Sequence, residues 1–360
     1  MSLLHPFKHA MGIDISDQVL RMVQLAPARK GYRVRSVSAR PVPAEAIQEG
    51  EIRQPEVVVN ILRDLIRRSA LKHPNTRAAV VCLPERKTFT KIIEVPNVED
   101  AQFTVSLRNA LAEHIPLNLD EAFVDWQPIG SADPKAKTRR VIVAVAPQLL
   151  IESYVSALKA VGIIPIVFEP ESAALSRVAI PSSAAKGSHL IIDLGATRTG
   201  LIITEGDLVA YSSTLPLSGT GLTSILQAKL SLTTEQAEQA KRLCGLDPRK
   251  GKGAVRELLE PELKPLLQRI LEIISYYEEH ATAVLHVVDV TLVGGGAAML
   301  GLPELMQSTL SLPVHAGTWP ANIRVPSTQL QAVATSYLTA LGLALRGASA
   351  HAWRNGNNDL

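Results

Sequence analysis

Three turns in this chain carry the residue types that hold a phosphate ester. Two short hydrophobic strands each run into an acidic turn, Gly12-Ile13-Asp14-Ile15-Ser16 and Ile191-Ile192-Asp193-Leu194-Gly195-Ala196-Thr197, and a third strand ends in Gly294-Gly295-Gly296-Ala297. A glycine-bearing turn after a strand aims successive backbone N–H groups at one point, where they can hold phosphate oxygens. A carboxylate beside that point needs a cation, usually hydrated Mg²⁺. Asp and Gly are ordinary turn residues, so each turn alone says little. Their joint order and spacing point to one nucleotide between two related halves.

These turns need elements to position them. Alternating and β-branched residues predict strands over 11–25, broken by the Asp14 turn, and over 32–42, joined by a turn at 28–31. Val57, Val58, Ile61, Leu62, Leu65 and Ile66 form one helical stripe with Arg63, Arg67 and Arg68 on the other side. A buried strand over 78–83 ends at Pro84. A different α+β block follows, with strands at 88–95, 121–129 and 140–146 and a helix marked by Phe103, Leu107, Leu111 and Ile115. A polar loop at 131–139, a helix at 149–161 and a strand at 163–168 complete it, and the block reads as an inserted subdomain.

At His189 the opening pattern returns, with a strand into Asp193, a strand at 199–204, a Glu205-Gly206-Asp207 hairpin turn and a strand at 209–215. Helices are predicted at 221–230 and 233–243, then a basic loop at 247–253 and a long helical stretch over 255–286. Pro261 and Pro265 should restart or kink that stretch, leaving its dependable part after Lys264. A strand at 287–293 enters the glycine turn, helices follow at 302–310 and 330–345, and the tail 351–360 is polar.

Composition narrows the function classes. At 360 residues the chain is long enough for two lobes, and 46% hydrophobic content with 20% charged residues is ordinary for a globular core. A net charge of +3 is too balanced to indicate nucleic acid. Cys82 and Cys244 lie far apart with no CxxC spacing, which argues against zinc and a disulfide framework and for a reducing compartment. No run reaches the ~18 apolar residues of a membrane span.

The arrangement of two phosphate turns and a late glycine turn resembles the actin-like ATPase superfamily, and within it the FtsA-like branch and the PilM family of type IV pilus assembly proteins. The landmarks are Gly12-Ile13-Asp14-Ile15 with Val23-Gln24-Leu25, Glu94-Val95-Pro96, His114-Ile115-Pro116-Leu117, Asp120-Glu121, Glu171-Ser172-Ala173-Ala174-Leu175 and Leu292-Val293-Gly294-Gly295-Gly296-Ala297. The resemblance implies an α/β fold of two actin-like lobes around an ATP cleft: lobe I at 1–84 with a return helix at 169–187, an FtsA/PilM-type inserted subdomain at 85–168, lobe II at 188–347 and a tail at 348–360. It also implies a cytoplasmic, ATP-binding scaffold, at most a slow ATPase, that serves pilus assembly and twitching motility. The implied partner is the N-terminal cytoplasmic peptide of the membrane protein PilN, with PilO and the inner-membrane platform reached indirectly; self-association into a homo-oligomer stays open.

Residue roles follow by position in that family. Asp193 and Asp14 would hold Mg²⁺ through water, and Gly195, Ala196 and Thr197 would offer donors to the β- and γ-phosphates. Gly294, Gly295, Gly296 and Ala297 would lie against adenosine. Glu238 and Lys241 share one helix face and match the residues that contact ribose or adenine, although the same spacing also makes a plain surface ion pair. Glu169 or Glu171 would orient the attacking water. The first turn departs from the family: Ser16, Asp17 and Gln18 stand where glycine and small hydroxyl residues are usual, and Arg21 stands at the lysine position.

Other readings remain in view: a component of a related secretion or adhesin-pilus system, an FtsA-like filament, or a small-molecule kinase. A kinase needs a general base, which no motif here supplies. An FtsA-like filament needs an amphipathic C-terminal anchor, and the tail is too poor in apolar residues to make one.

Overall fold

The strand Ala78–Leu83 is buried along its whole length, as an apolar run in the middle of a sheet must be. It sits in a six-stranded sheet ordered Ile164–Pro170, Ala78–Leu83, Met11–Ile15, Val19–Pro27, Tyr32–Pro41 and Ile323–Arg324. The computed structural model describes residues 9–98, 100–113, 115, 117–129, 136–180, 186–206, 208–280 and 286–348. Asp207 of the hairpin turn, His114 and Pro116 of the family landmarks, much of the 131–139 loop and the tail lie outside them.

A second, five-stranded sheet runs Leu208–Leu215, Thr199–Glu205, Ser188–Leu194, Val287–Val293 and Val314–Ala316. The two sheets repeat one topology. In each, the strand ending in the acidic turn pairs antiparallel with the next strand, which pairs antiparallel with a third, while parallel strands join on the other side. Even the register repeats, because Asp14 faces Arg21 and Asp193 faces Gly200, each seven residues further on.

Between the second and third parallel positions of the first lobe the chain makes a separate antiparallel sheet, Phe89–Pro96, Thr138–Pro147 and Ala122–Pro128, with the helix Asp100–Ala112. It has its own apolar cluster, centred on Ile93, Val95, Phe103, Leu107, Val141 and Val143. Each such fully buried side chain is worth about 1.5–3 kcal/mol. Arg139 stacks 3.4 Å from the Phe103 ring centroid, burying its stem in the same cluster.

The predicted helix at 330–345 is two helices, Thr328–Ala332 and Ala334–Ala348. The longer one packs on the first sheet and on the helix Glu171–Ala179. A Cβ on Gly12 would fall 2.1 Å from the Ala340 carbonyl oxygen, and one on Gly342 would fall 2.0 Å from that of Ala174. An apolar layer including Val23, Leu175, Ile191, Ile202, Val293 and Leu341 therefore connects both sheets.

The long helical stretch is one helix, Ala254–His280, with Pro261 and Pro265 inside it. The expected restart does not occur. Both prolines are exposed, so the carbonyls they leave unpaired face water, while the buried stripe from Val255 through Leu259, Leu263 and Leu267 to Tyr277 continues past them.

Candidate functional site

The acidic turns of the two equivalent hairpins face each other across a cleft of about 670 Å³. From the first lobe Asp14, Ser16, Asp17, Arg21 and Glu171 line it; from the second come Asp193 to Thr199, Glu238, Lys241 and Gly294 to Gly296. Fourteen of the sixteen residues expected here line this space, and Glu169 and Ala297 stand outside it.

Glu169 is buried against Arg177, whose Nη1 and Nη2 donate to its two oxygens at 2.8 and 3.1 Å. Arg177 also donates to the Gly342 carbonyl at 2.9 Å, so this pair fastens the last helix to the first lobe. Ala297 is buried in the core of the second lobe, and its neighbour Ala298 lines the cleft instead. Of the two glutamates, Glu171 is the one in the cleft, paired with Arg198.

Charges alternate across the floor of the cleft. Arg21, directly opposite Asp14 in the hairpin, reaches it at 3.6 Å. Burial pushes the Asp14 carboxyl up to about 7, against the opposing pull of Arg21 and with a further push from Glu171 and Asp193. Burial also raises Asp193, with Glu171 adding to the shift and Arg198 and Arg21 opposing it. Two carboxyls made uncomfortable as anions, offering hard oxygens to one space, are a fitting donor set for Mg²⁺. The Cys82 thiol lies behind them, with one ligand atom each of Asp14, Cys82 and Glu171 within 4.8 Å of one another. Burial raises that thiol too, so it stays protonated and offers a hard cation little.

The second turn is held by the helix Gly219–Leu230. The Gly219 amide donates to the Gly195 carbonyl at 3.0 Å, and the Thr220 amide to the Ala196 carbonyl at 2.9 Å. The Gly195 amide is itself directed to the Arg198 carbonyl at 2.9 Å. Lys241 completes the support: its ammonium donates to the Gly219 carbonyl, the Thr223 hydroxyl and the Glu238 carboxylate, each at 2.7 Å. All three N–H groups of Lys241 thus have protein acceptors.

The glycine turn has a positional logic. Gly294 has φ +82°, and a Cβ there would fall 2.3 Å from Asp193 Oδ1. A Cβ on Gly296 would meet Leu194, whereas Gly295 has nothing within 4 Å and presents bare backbone to the cleft. Arg198, Thr220 and Thr223 belong to the site without having been expected in it. Thr223 left a sequence signal, a hydroxyl one position after Leu222 and three before Leu226, on the buried side of its helix. Arg198 left only its charge.

Residues 12–348 match the family model described as Type IV pilus assembly protein PilM. The chain belongs to the PilM family. A solved PilM-PilN type IV pilus biogenesis complex is similar over 96% of this chain and 100% of that one, with TM-score 0.82 and 23% identity. Ethanolamine utilization protein EutJ from Carboxydothermus hydrogenoformans follows at TM-score 0.56 and 15% identity, covering 94% of this chain and 89% of that one. MreB 5 of Spiroplasma citri, solved bound to AMPPNP, has TM-score 0.54 and 12% identity, covering 94% and 96%. At these identities the likenesses establish a shared fold, the actin-like one.

Against the PilM landmarks, the first turn has a physical explanation for its missing glycine. None of Ser16, Asp17 and Gln18 has positive φ, so no residue there needs glycine's freedom. The Ser16 hydroxyl closes the turn onto the Val19 carbonyl at 2.8 Å. Asp17 does not bring a bare charge to the cleft, since its Oδ1 accepts the Gly50 amide at 2.9 Å.

Proposed function

We propose that this chain is an ATP-binding scaffold of the type IV pilus machinery that takes up the N-terminal cytoplasmic peptide of PilN. One observation carries the reading: in a chain of the PilM family, topologically equivalent Asp turns face each other across a single cleft. Solved proteins of the same fold bound to AMPPNP and ADP support a nucleotide in that position.

In this reading Asp193 and Asp14 hold Mg²⁺ through water, and Gly195, Ala196 and Thr197 meet the β- and γ-phosphates with Ser16 and Arg21 opposite. The Gly294 to Gly296 turn accommodates adenosine, and Glu238 meets the ribose while Lys241 fixes the turn from behind. Glu171 takes the water-orienting role, not Glu169. The domain division keeps the expected frame with one boundary moved: the inserted subdomain ends near 147 and not at 168, because Gln148–Lys159 packs in the core of lobe I and Ile164–Pro170 joins its sheet, so lobe I takes 1–84 and 148–187, lobe II 188–347 and a tail 348–360. Among the described residues no helix is long and apolar enough to cross a membrane. Attachment to the inner membrane then comes through PilN, with PilO and the platform as indirect contacts on the cytoplasmic side.

Calorimetric titration with a PilN N-terminal peptide, with and without Mg-ATP and repeated for Asp193→Ala, tests this. Peptide binding by the wild type, changed by Mg-ATP and unchanged by it in the variant, is the expected result. Absence of peptide binding under every condition would refute the scaffold reading.

A further inference from the structure

Both turns of the cleft are wired to the same short segment. Glu85–Lys87 is a single 3₁₀ turn between the strand Ala78–Leu83 of the first lobe and the strand Phe89–Pro96, which opens the three-stranded sheet. The Thr88 hydroxyl and the Lys87 amide both donate to the Pro84 carbonyl, at 3.1 and 3.0 Å, so this turn moves as one piece.

From the second acidic turn the connection runs through Arg198 and Glu171, which are ion-paired in the cleft. Glu171 opens the helix Glu171–Ala179, and the next residue, Ser172, donates its amide to Glu85 Oε2 at 3.1 Å. That amide is one of the helix's unpaired N-terminal donors, and the helix dipole favours the negative charge placed there. Ser212, on the strand Leu208–Leu215 of the second lobe, lies close enough to the same carboxylate to hold its pKa down. Glu85 is therefore bonded to the helix that carries Glu171 and lies beside the edge strand of the second sheet. Burial raises its pKa and the nearby Glu171 charge adds to the rise, while Ser212 and the Ser172 amide oppose it.

From the first acidic turn the connection runs through Asp17 and Gly50. Flanking Gly50, Glu49 pairs with Arg86 at 3.1 Å and Glu51 with Lys87 at 2.5 Å. A Cβ on Gly50 would fall 2.4 Å from Pro84 Cβ, so backbone and proline are already in contact.

We propose that Glu85 is the positioning residue through which nucleotide in the cleft sets the orientation of the subdomain built on Phe89–Pro96, Ala122–Pro128 and Thr138–Pro147. Phosphate oxygens arriving beside Arg198 compete with Glu171 for its guanidinium. Any shift of Glu171 displaces the Ser172 amide, and Glu85 carries that displacement into the turn that leads to Phe89–Pro96. The inference rests on the nucleotide reading given above and adds the residue that transmits it.

Hydrogen exchange on the whole chain, with and without Mg-AMPPNP, tests the relay on the wild type, Glu85→Gln and Ser212→Ala. Nucleotide should slow exchange at 193–198 and at 171–173 in all three proteins. In the wild type it should also change exchange over 88–96, and both variants should lose that distant effect. Retention of the effect over 88–96 by both variants, or its absence from the wild type, overturns the proposal. Absence of protection at 193–198 in the wild type refutes the nucleotide reading itself, and the relay with it. Ser212→Ala deletes one hydroxyl at a half-buried strand position, so it decides the matter if Glu85→Gln does not fold.

Discussion

The Lys241 ammonium lies 2.7 Å from the Gly219 carbonyl oxygen, at the start of the helix that holds the second acidic turn. Lysine at this position is a structural clamp on the second acidic turn, since its other two donors go to Thr223 and Glu238. Lys241→Met leaves these acceptors without their donor and should cost about 1–3 kcal/mol of stability without any nucleotide present. A lower urea midpoint in the nucleotide-free variant, together with weaker ATP binding, is the expected pair of results. Lys241→Arg should not restore either, because a planar fork cannot replace three diverging donors. Unchanged stability with weaker ATP binding would show instead that Lys241 acts on the nucleotide directly.

Asp14 gives the cleft a pH dependence of definite sign. Its carboxyl is raised by burial from 3.8 to about 7, so the folded protein binds this proton more tightly than the unfolded chain does. The associated stability is full below the unfolded value and is lost as pH rises through about 7. Without nucleotide or Mg²⁺, the wild type should therefore melt higher at about pH 5 than at about pH 8, and Asp14→Asn should shrink that difference. Mg²⁺ should narrow it too, by favouring the ionised form. A difference of the same size in Asp14→Asn would remove Asp14 from the explanation.

Much of this site could be read from the sequence because hairpin register is local. Once Met11–Ile15 and Val19–Pro27 are paired strands, Arg21 must stand opposite Asp14, and the same count places Gly200 opposite Asp193. Apolar periodicity likewise marks the strands around them. Long-range pairings left no such signal. Nothing local distinguishes Glu169, taken by Arg177, from Glu171, two residues on and open to the cleft. The prolines of Ala254–His280 misled for a related reason: their local cost is visible in the sequence, while the buried stripe that outweighs it is a tertiary fact.

The glycines under the last helix should be the least replaceable residues outside the cleft. A methyl group at Gly12 would lie 2.1 Å from one backbone oxygen of that helix and 2.4 Å from the Ala344 nitrogen. Backbone cannot rotate aside as a side chain can, so Gly12→Ala should cost about 3 kcal/mol, at the upper end of ordinary overpacking. Chemical denaturation measures it. A cost below about 1 kcal/mol would mean that the helix sits further from the sheet than 2.1 Å implies.

Glu169 and Glu171 should separate cleanly when each is changed alone. Arg177→Ala strands the buried Glu169 carboxylate and frees the Gly342 carbonyl, and should destabilise the chain by about 3–5 kcal/mol. Glu169→Gln removes the same charge pair from its other side and should also lower stability, yet leave ATP affinity of the folded fraction as it was. Glu171→Gln should do the reverse. It faces the cleft, and releasing Arg198 from its partner makes that guanidinium available to phosphate, so ATP should bind more tightly while any slow hydrolysis falls. Thermal unfolding and ATP titration on the three variants test this together. An ATP affinity that follows Glu169 and not Glu171 would reverse the assignment of the two glutamates.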